Sequence, residues 1–273
     1  MSFFGRFKFV KDGGKTAGPP SAREVAGRAY ALNAVIFFGK TLGGSGVMPS
    51  QLGSMPAESA KPIEDTAARI SKHVAGAAKK FGFLNDFSPL EALTIATPFR
   101  KLDDQMIVNA TWRMEALQAI LWSLQQVEKI PPYDEQAGDE LFKILQLEQF
   151  ESFAASAKLR PFDELESARS LAELWHWRGR TRQLIERGEP FPEMPKFKCF
   201  DDIVRFTAKA TKERGDLPET FDEDFLAKGK AYRDLTDKEW SEVGSITAER
   251  HFALNWVCGL APGNRWDETP TGT

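Results

Sequence analysis

Cysteine is nearly absent from this chain, with two residues, Cys199 and Cys258, in 273. So low a count excludes a disulfide framework, and their wide separation excludes the short spacing of a metal-binding pair; both are expected as reduced, mostly buried thiols. Histidine is almost as scarce, and His73, His176 and His251 lie far apart. None sits in a zinc-protease arrangement, so no metal site is expected. Long apolar runs are missing as well. No window approaches the roughly 20 apolar residues of a membrane-spanning helix, and no membrane association is expected. The four phenylalanines between Met1 and Val10 are interrupted by Arg6 and Lys8 before they reach signal-peptide length, which points to a cytoplasmic protein. A large excess of one charge is absent too. With 36 Lys+Arg against 39 Asp+Glu, a net charge of -3 and a pI near 5.8, no basic field draws in nucleic acid.

Catalytic and cofactor fingerprints are equally thin. There is no Gly-x-Ser-x-Gly elbow, and spacing identifies no histidine partner for Cys258. Gly39-Lys40-Thr41 looks like the end of a phosphate loop. However, Ala34 stands where that loop needs glycine, and Val35 to Phe38 continue a helix that cannot wrap its amides around a phosphate. No cofactor is expected.

What is present is an ordinary globular composition, 42% hydrophobic and 27% charged, in a chain long enough to bury a large core. Ser21 precedes an apolar run and Glu24 stands three residues on, the pattern of a capping box for a helix reaching about Lys40. Residues 41–61, rich in Gly, Ser and Pro, read as a flexible loop. Helical patterns resume over 62–81, 89–98, 104–129, 139–159, 163–187, 201–214 and 236–260. The last has a second capping box, Thr236 with Glu239, and a hydrophobic staple of Leu235 and Trp240. Strand signals are confined to Phe7–Val10 and the surroundings of Tyr232. The pattern predicts a mainly α protein, an irregular multi-helix bundle with a minor strand element at most. Residues 1–20 read as an N-terminal extension and 21–273 as a single helical domain.

The charges within these helices are informative. At about 100° per residue, Arg250 falls on the arc of Val243, Ile246, Ala253, Leu254 and Val257, with Glu249 at its edge. Arg113 falls among Leu117, Ile120, Leu121 and Leu124, and Glu115 on the opposite face of a helix that is apolar all round and therefore central. Arg178 and Arg182 share an arc with Leu171, Leu174 and Trp175. Arginines aimed at a core must find carboxylates, carbonyls or an anionic ligand. Glu115, Glu249 and Asp267 are the internal candidates. If the network is structural, Arg250→Met should be close to neutral and Arg250→Ala should unfold the protein. If the arginines outnumber their partners, Arg113, Arg178, Arg182 and Arg250 form a cationic pocket for phosphate or carboxylate. His251 has Asn255 one turn on, and a tail carrying Trp266 and Asp267 that can fold back on it, the arrangement of a base oriented by a carboxylate.

At these residues the chain resembles a bacterial family catalogued as domain of unknown function 4272. The likeness runs from about Glu24 onward and is carried by Glu24-Val25-Ala26-Gly27-Arg28-Ala29, Trp112 to Leu117, Leu121 to Leu124, Leu174 to Arg180, Glu249 to Trp256 and Trp266 to Thr273. The resemblance implies a predominantly helical bacterial protein and supplies no mechanism. The family's terminal tetrapeptide usually carries an aspartate where this chain has Gly272, so no role for that carboxylate carries over.

Two functions follow as expectations. The first is a non-enzymatic protein-binding or accessory module, toxin-neutralising partners included, because seven tryptophans and 21 phenylalanines offer the aromatic anchors that interfaces favour. The second is an enzyme or small-anion binder, with His251, Glu249 and Asp267 as catalytic candidates. Its ligand would meet Arg113, Glu115, Arg178, Arg182, Arg250, Asn255, Trp256 and Trp266.

Overall fold

In a computed structural model the chain is described over residues 18–217 and 219–272. The element order is α1 (Ala22–Gly43), α2 (Ala57–Phe81), α3 (Pro89–Ala96), α4 (Asp104–Ser123), α5 (Phe150–Ser156), α6 (Phe162–Glu186), α7 (Phe200–Arg214), three short strands and α8 (Asp237–Val257). The protein is mainly α, as expected. The capping boxes of α1 and α8 form at Ser21/Glu24 and Thr236/Glu239. A third, Ser88 with Glu91, starts α3.

The helices stack in a row, α1 on α4, α4 on α8 and α8 on α6. The sequences show it: α4 buries every residue from Met114 to Leu121, and α1, covered on its other side by α2 and α5, buries every residue from Val25 to Leu32. Such helices cannot be amphipathic, because both faces meet other helices. By contrast α2 lies outside and buries only Ala60, Ala67, Val74 and Ala78, a narrow stripe of small side chains. Close packing of α1 on α4 depends on Gly39, where an added Cβ would lie 2.6 Å from the Cβ of Ala110.

Several boundaries differ from the sequence pattern for identifiable reasons. The stretch 41–61 contains the end of α1, a 3-10 turn over Pro49–Ser54 and the start of α2. Helix α4 stops at Ser123, six residues early, since Gln125 takes a positive φ of 61° and Arg160 donates to the carbonyls of Trp122, Val127 and Glu128. The pattern over 139–159 breaks into 3-10 turns before α5, where the Gln146 carbonyl accepts from Tyr30 Oη at 3.1 Å and from the Gln149 amide.

The strand expected near Tyr232 is an antiparallel sheet, β1 (Thr220–Phe221), β2 (Asp224–Ala227) and β3 (Lys230–Ala231), in that order. Thr220 faces Phe225 and Leu226 faces Ala231. Its two turns, Asp222-Glu223 and Lys228-Gly229, have positive φ at both positions, the geometry that matches strand twist in two-residue hairpins. The other strand candidate, Phe7–Val10, lies outside the described residues. None of the described helices is long and apolar enough to cross a membrane.

Candidate functional site

The arginines do converge on the core, and each meets its own carboxylate. Arg250 is fully buried on α8 and donates through Nε and Nη2 to one oxygen of Glu115 on α4, at 2.9 and 2.8 Å. Its remaining N–H groups reach the carbonyls of Pro131, Pro132 and Glu135 at 2.6 to 3.0 Å. The other Glu115 oxygen accepts from the Ala137 amide at 2.8 Å. Few hydrogen bonds remain to be made by this pair, so it has no capacity for a ligand. The same geometry overturns the expectation for Arg250→Met. Methionine leaves the Glu115 carboxylate buried without its cation, so the substitution cannot be neutral.

Arg113 pairs with Glu249 at 2.9 Å and lies over the rings of Phe252 and Trp266. Burial raises the Glu249 carboxyl above its ordinary range, with Arg113 opposing the shift. Two further pairs complete the network and were not foreseen. Arg178 forms a bidentate fork with Asp224, at 2.7 and 2.6 Å, and Asp224 also accepts the amides of Phe225 and Arg233. Arg28 meets Glu91 at 2.8 Å with Trp266 stacked beneath its guanidinium. Asp224 hides in an acidic run, Asp222-Glu223-Asp224, that reads as a solvated turn. Glu91 reads as the second half of the α3 capping box. Arg28 did carry a signal, being set among the apolar residues of α1. The buried Arg28, Arg178 and Arg250 and the partly buried Arg113 thus each pair with a carboxylate of their own. Arg182, no more exposed than Arg113, ties α6 to the entry of α8 through the carbonyls of Leu235 and Tyr232, and it pairs with Glu186 one turn on in its own helix.

Asp267 is placed away from His251. Its carboxylate accepts the Leu90 amide at 2.9 Å in the first turn of α3, where a negative charge suits the helix dipole. His251 instead meets His176, Nδ1 to Nδ1 at 2.9 Å, and its Nε2 meets Asn255 Nδ2 at 2.9 Å. Trp256 and Trp266 pack against each other edge to face, and Trp256 Nε1 donates to the Asn264 carbonyl. Thus Asn255, Trp256 and Trp266 hold the C-terminal tail.

The histidine chain can be assigned proton by proton. The Pro270 carbonyl lies 2.7 Å from the Asn255 side chain and can only accept, so the amide nitrogen points there. The second hydrogen of that amide serves His251 Nε2, which must be unprotonated. His251 therefore carries its proton on Nδ1 and donates it to His176 Nδ1, leaving the His176 proton on Nε2. Burial, reinforced by the Arg180 guanidinium, pulls the His176 pKa down to about 4. Burial and then His176 take His251 to about 3, so both rings are neutral near pH 7. An amide terminates the chain and neither gives nor takes a proton, so His251 has no carboxylate to make it a general base. Cys258 is no nucleophile either, since burial pushes its thiol up to about 12.

His176 lies at the edge of a groove of about 450 Å³ between α6 and the first half of α8. Gly179, Arg180 and Gln183 continue its α6 wall, and Trp240, Ser241, Gly244 and Ser245 stand opposite. Gly244 leaves room there, because a Cβ added to it would meet nothing within 4 Å. The sequence projections put Arg178 and Arg182 on the interesting face of α6; the groove uses His176 and Arg180 instead. Among the described residues no three His, Cys, Asp or Glu side chains converge as metal ligands.

Searches of the curated proteins and of the solved structures return no match. The family model described as "Domain of unknown function (DUF4272)" matches residues 9–195. That span begins earlier than the likeness seen from Glu24 onward, and it ends before the segments Glu249–Trp256 and Trp266–Thr273. It holds α1 to α6, with Arg28, Glu91, Arg113, Glu115, His176 and Arg178. With well over half of its length matched, this chain belongs to the DUF4272 family.

Proposed function

We propose that this protein is a non-enzymatic, cytoplasmic binding module that recognises another protein through the α6–α8 groove. One observation carries the reading: Arg113, Arg178 and Arg250 are each paired with a carboxylate inside the fold, while His176 and Arg180 line the groove. A catalytic site needs a proton carrier poised near the working pH or an activated nucleophile. Here burial holds both histidines neutral near pH 7, and Cys258 is held as a thiol. Unpaired Cys199 and Cys258 suit a reducing compartment. Toxin neutralisation is one task within this reading, since an accessory protein of that kind works by occupancy alone.

The test is native mass spectrometry of the protein purified gently from its own host, beside a Gly244→Leu variant that fills the groove. A stoichiometric protein partner held by the wild type and lost in the variant is the expected result. A co-purifying small anion and no protein would overturn it in favour of the small-molecule reading.

A further inference from the structure

We infer that the groove receives the C-terminal carboxylate of an extended partner chain, an assignment that rests on the binding reading above and specifies its ligand. The α6 wall places two donors one turn apart. Arg180 is exposed, and its partner is the neutral Gln183 amide rather than a carboxylate. His176 has Nδ1 turned inward to His251, so the ring edge left to the groove carries Nε2–H. The pair is close enough for the guanidinium to help hold the imidazole neutral. A guanidinium beside a fixed N–H donor is the arrangement that a carboxylate, with two oxygens and only lone pairs to offer, satisfies best.

The shape selects a chain end. Helices α6 and α8 run antiparallel here, with His176 against His251 and Arg182 against Trp240. The groove lining stops at His176 and Ala248, where the His176–His251 contact joins the two walls, and opens at the other end past Gln183 and the exposed Asp237. From Asp237 to Ala248 the α8 wall is about 16 Å long at 1.5 Å per residue, room for roughly five residues of extended chain. His176 stands at the closed end, with Arg180 one turn on and its guanidinium on Gln183. A carboxylate seated there has its chain running outward along Ser241, over the open space at Gly244 and past the Trp240 ring.

The experiment is a titration of the ¹⁵N-labelled protein, read at the His176 imidazole, with three pools of N-acetylated pentapeptides randomised over uncharged residues. One pool ends in a free carboxylate, one in a carboxamide, and one in a carboxamide after a final glutamate. Saturable shifts with the first pool, at least tenfold weaker with the second and third, are expected. Arg180→Gln should weaken the first pool at least tenfold while its thermal unfolding stays unchanged. Equal responses to the first and third pools overturn the chain end in favour of an acidic side chain. No response at His176 to any pool, or no loss in Arg180→Gln, overturns the carboxylate altogether. The outcomes separate from the broader reading: a native partner lost in Gly244→Leu but kept in Arg180→Gln removes this assignment and leaves the groove as the binding surface.

Discussion

Along α8, the half from Glu249 to Trp256 pairs its polar side chains inside the fold, whereas the half from Asp237 to Ala248 pairs Glu239 and Glu242 with Lys230 and Lys228 and lines the groove with small residues. In the first, Glu249, Arg250, His251 and Asn255 are matched to Arg113, Glu115, His176 and Pro270. In the second, Ser241, Gly244 and Ser245 face a groove that the protein leaves open. The denser half is the one that draws attention in the sequence, yet it makes the scaffold. Concentrated charge in a helix signals what must be neutralised, and binding capacity is found where donors remain after that neutralisation.

The largest effect that could break this contrast lies at Arg250. Both Arg250→Ala and Arg250→Met leave Glu115 buried without its cation, and each should cost roughly 3–5 kcal/mol in denaturant unfolding. A methionine variant as stable as the wild type would mean that the pair is not closed as described.

Acid should expose the histidine pair next. Each ring has a folded pKa below its ordinary 6.5, about 4 for His176 and about 3 for His251. As pH falls, the unfolded chain takes up protons first, so stability held above pH 6.5 is lost as the pH drops from there toward 4. The slope is ~1.4 kcal/mol per pH unit for each ring. Glu249, raised by burial, works in the opposite direction, its contribution being lost as pH rises. Comparing unfolding curves of the wild type and His176→Gln cancels such carboxyl effects, and the variant should show a shallower loss. Parallel curves would mean that the His176 pKa does not fall on folding.

Two glycines give the smaller effects, with opposite signs. Gly39→Ala forces a methyl into the α1–α4 contact and should destabilise by about 1–3 kcal/mol. Gly244→Ala meets open space in a helix and should stabilise by roughly 0.5–1 kcal/mol. Thermal melts of the two variants moving in the same direction would remove the distinction between the packed and open sides of the fold.

The sequence made the helices legible because caps and periodicity are local: Ser21/Glu24 and Thr236/Glu239 both form as read. The sheet was visible only near Tyr232, since strands of two to four residues are too short for an alternating pattern. Charge placement was legible by face but not by partner. The helical projections put Arg113, Arg178 and Arg250 inward, and they are. They could not pair Arg178 with Asp224 or Arg28 with Glu91, since those contacts join residues 46 and 63 positions apart. The groove was missed because Gly244 and Ser245 on its α8 wall are small, and at Gly244 the information is space left unfilled.

The Pro270 carbonyl ends up deciding the polarity of a surface it never touches. Without that acceptor the Asn255 amide can rotate half a turn and present its oxygen to His251. Every proton in the row then shifts by one place: His251 donates from Nε2, its Nδ1 accepts from His176, and the groove faces a bare nitrogen in place of an N–H. A cleft that now selects acceptors would select donors. The tail carbonyl thus sets the tautomer of the row, and imidazole ¹⁵N shifts in a chain cut after Thr269 should report the exchanged protons if it does.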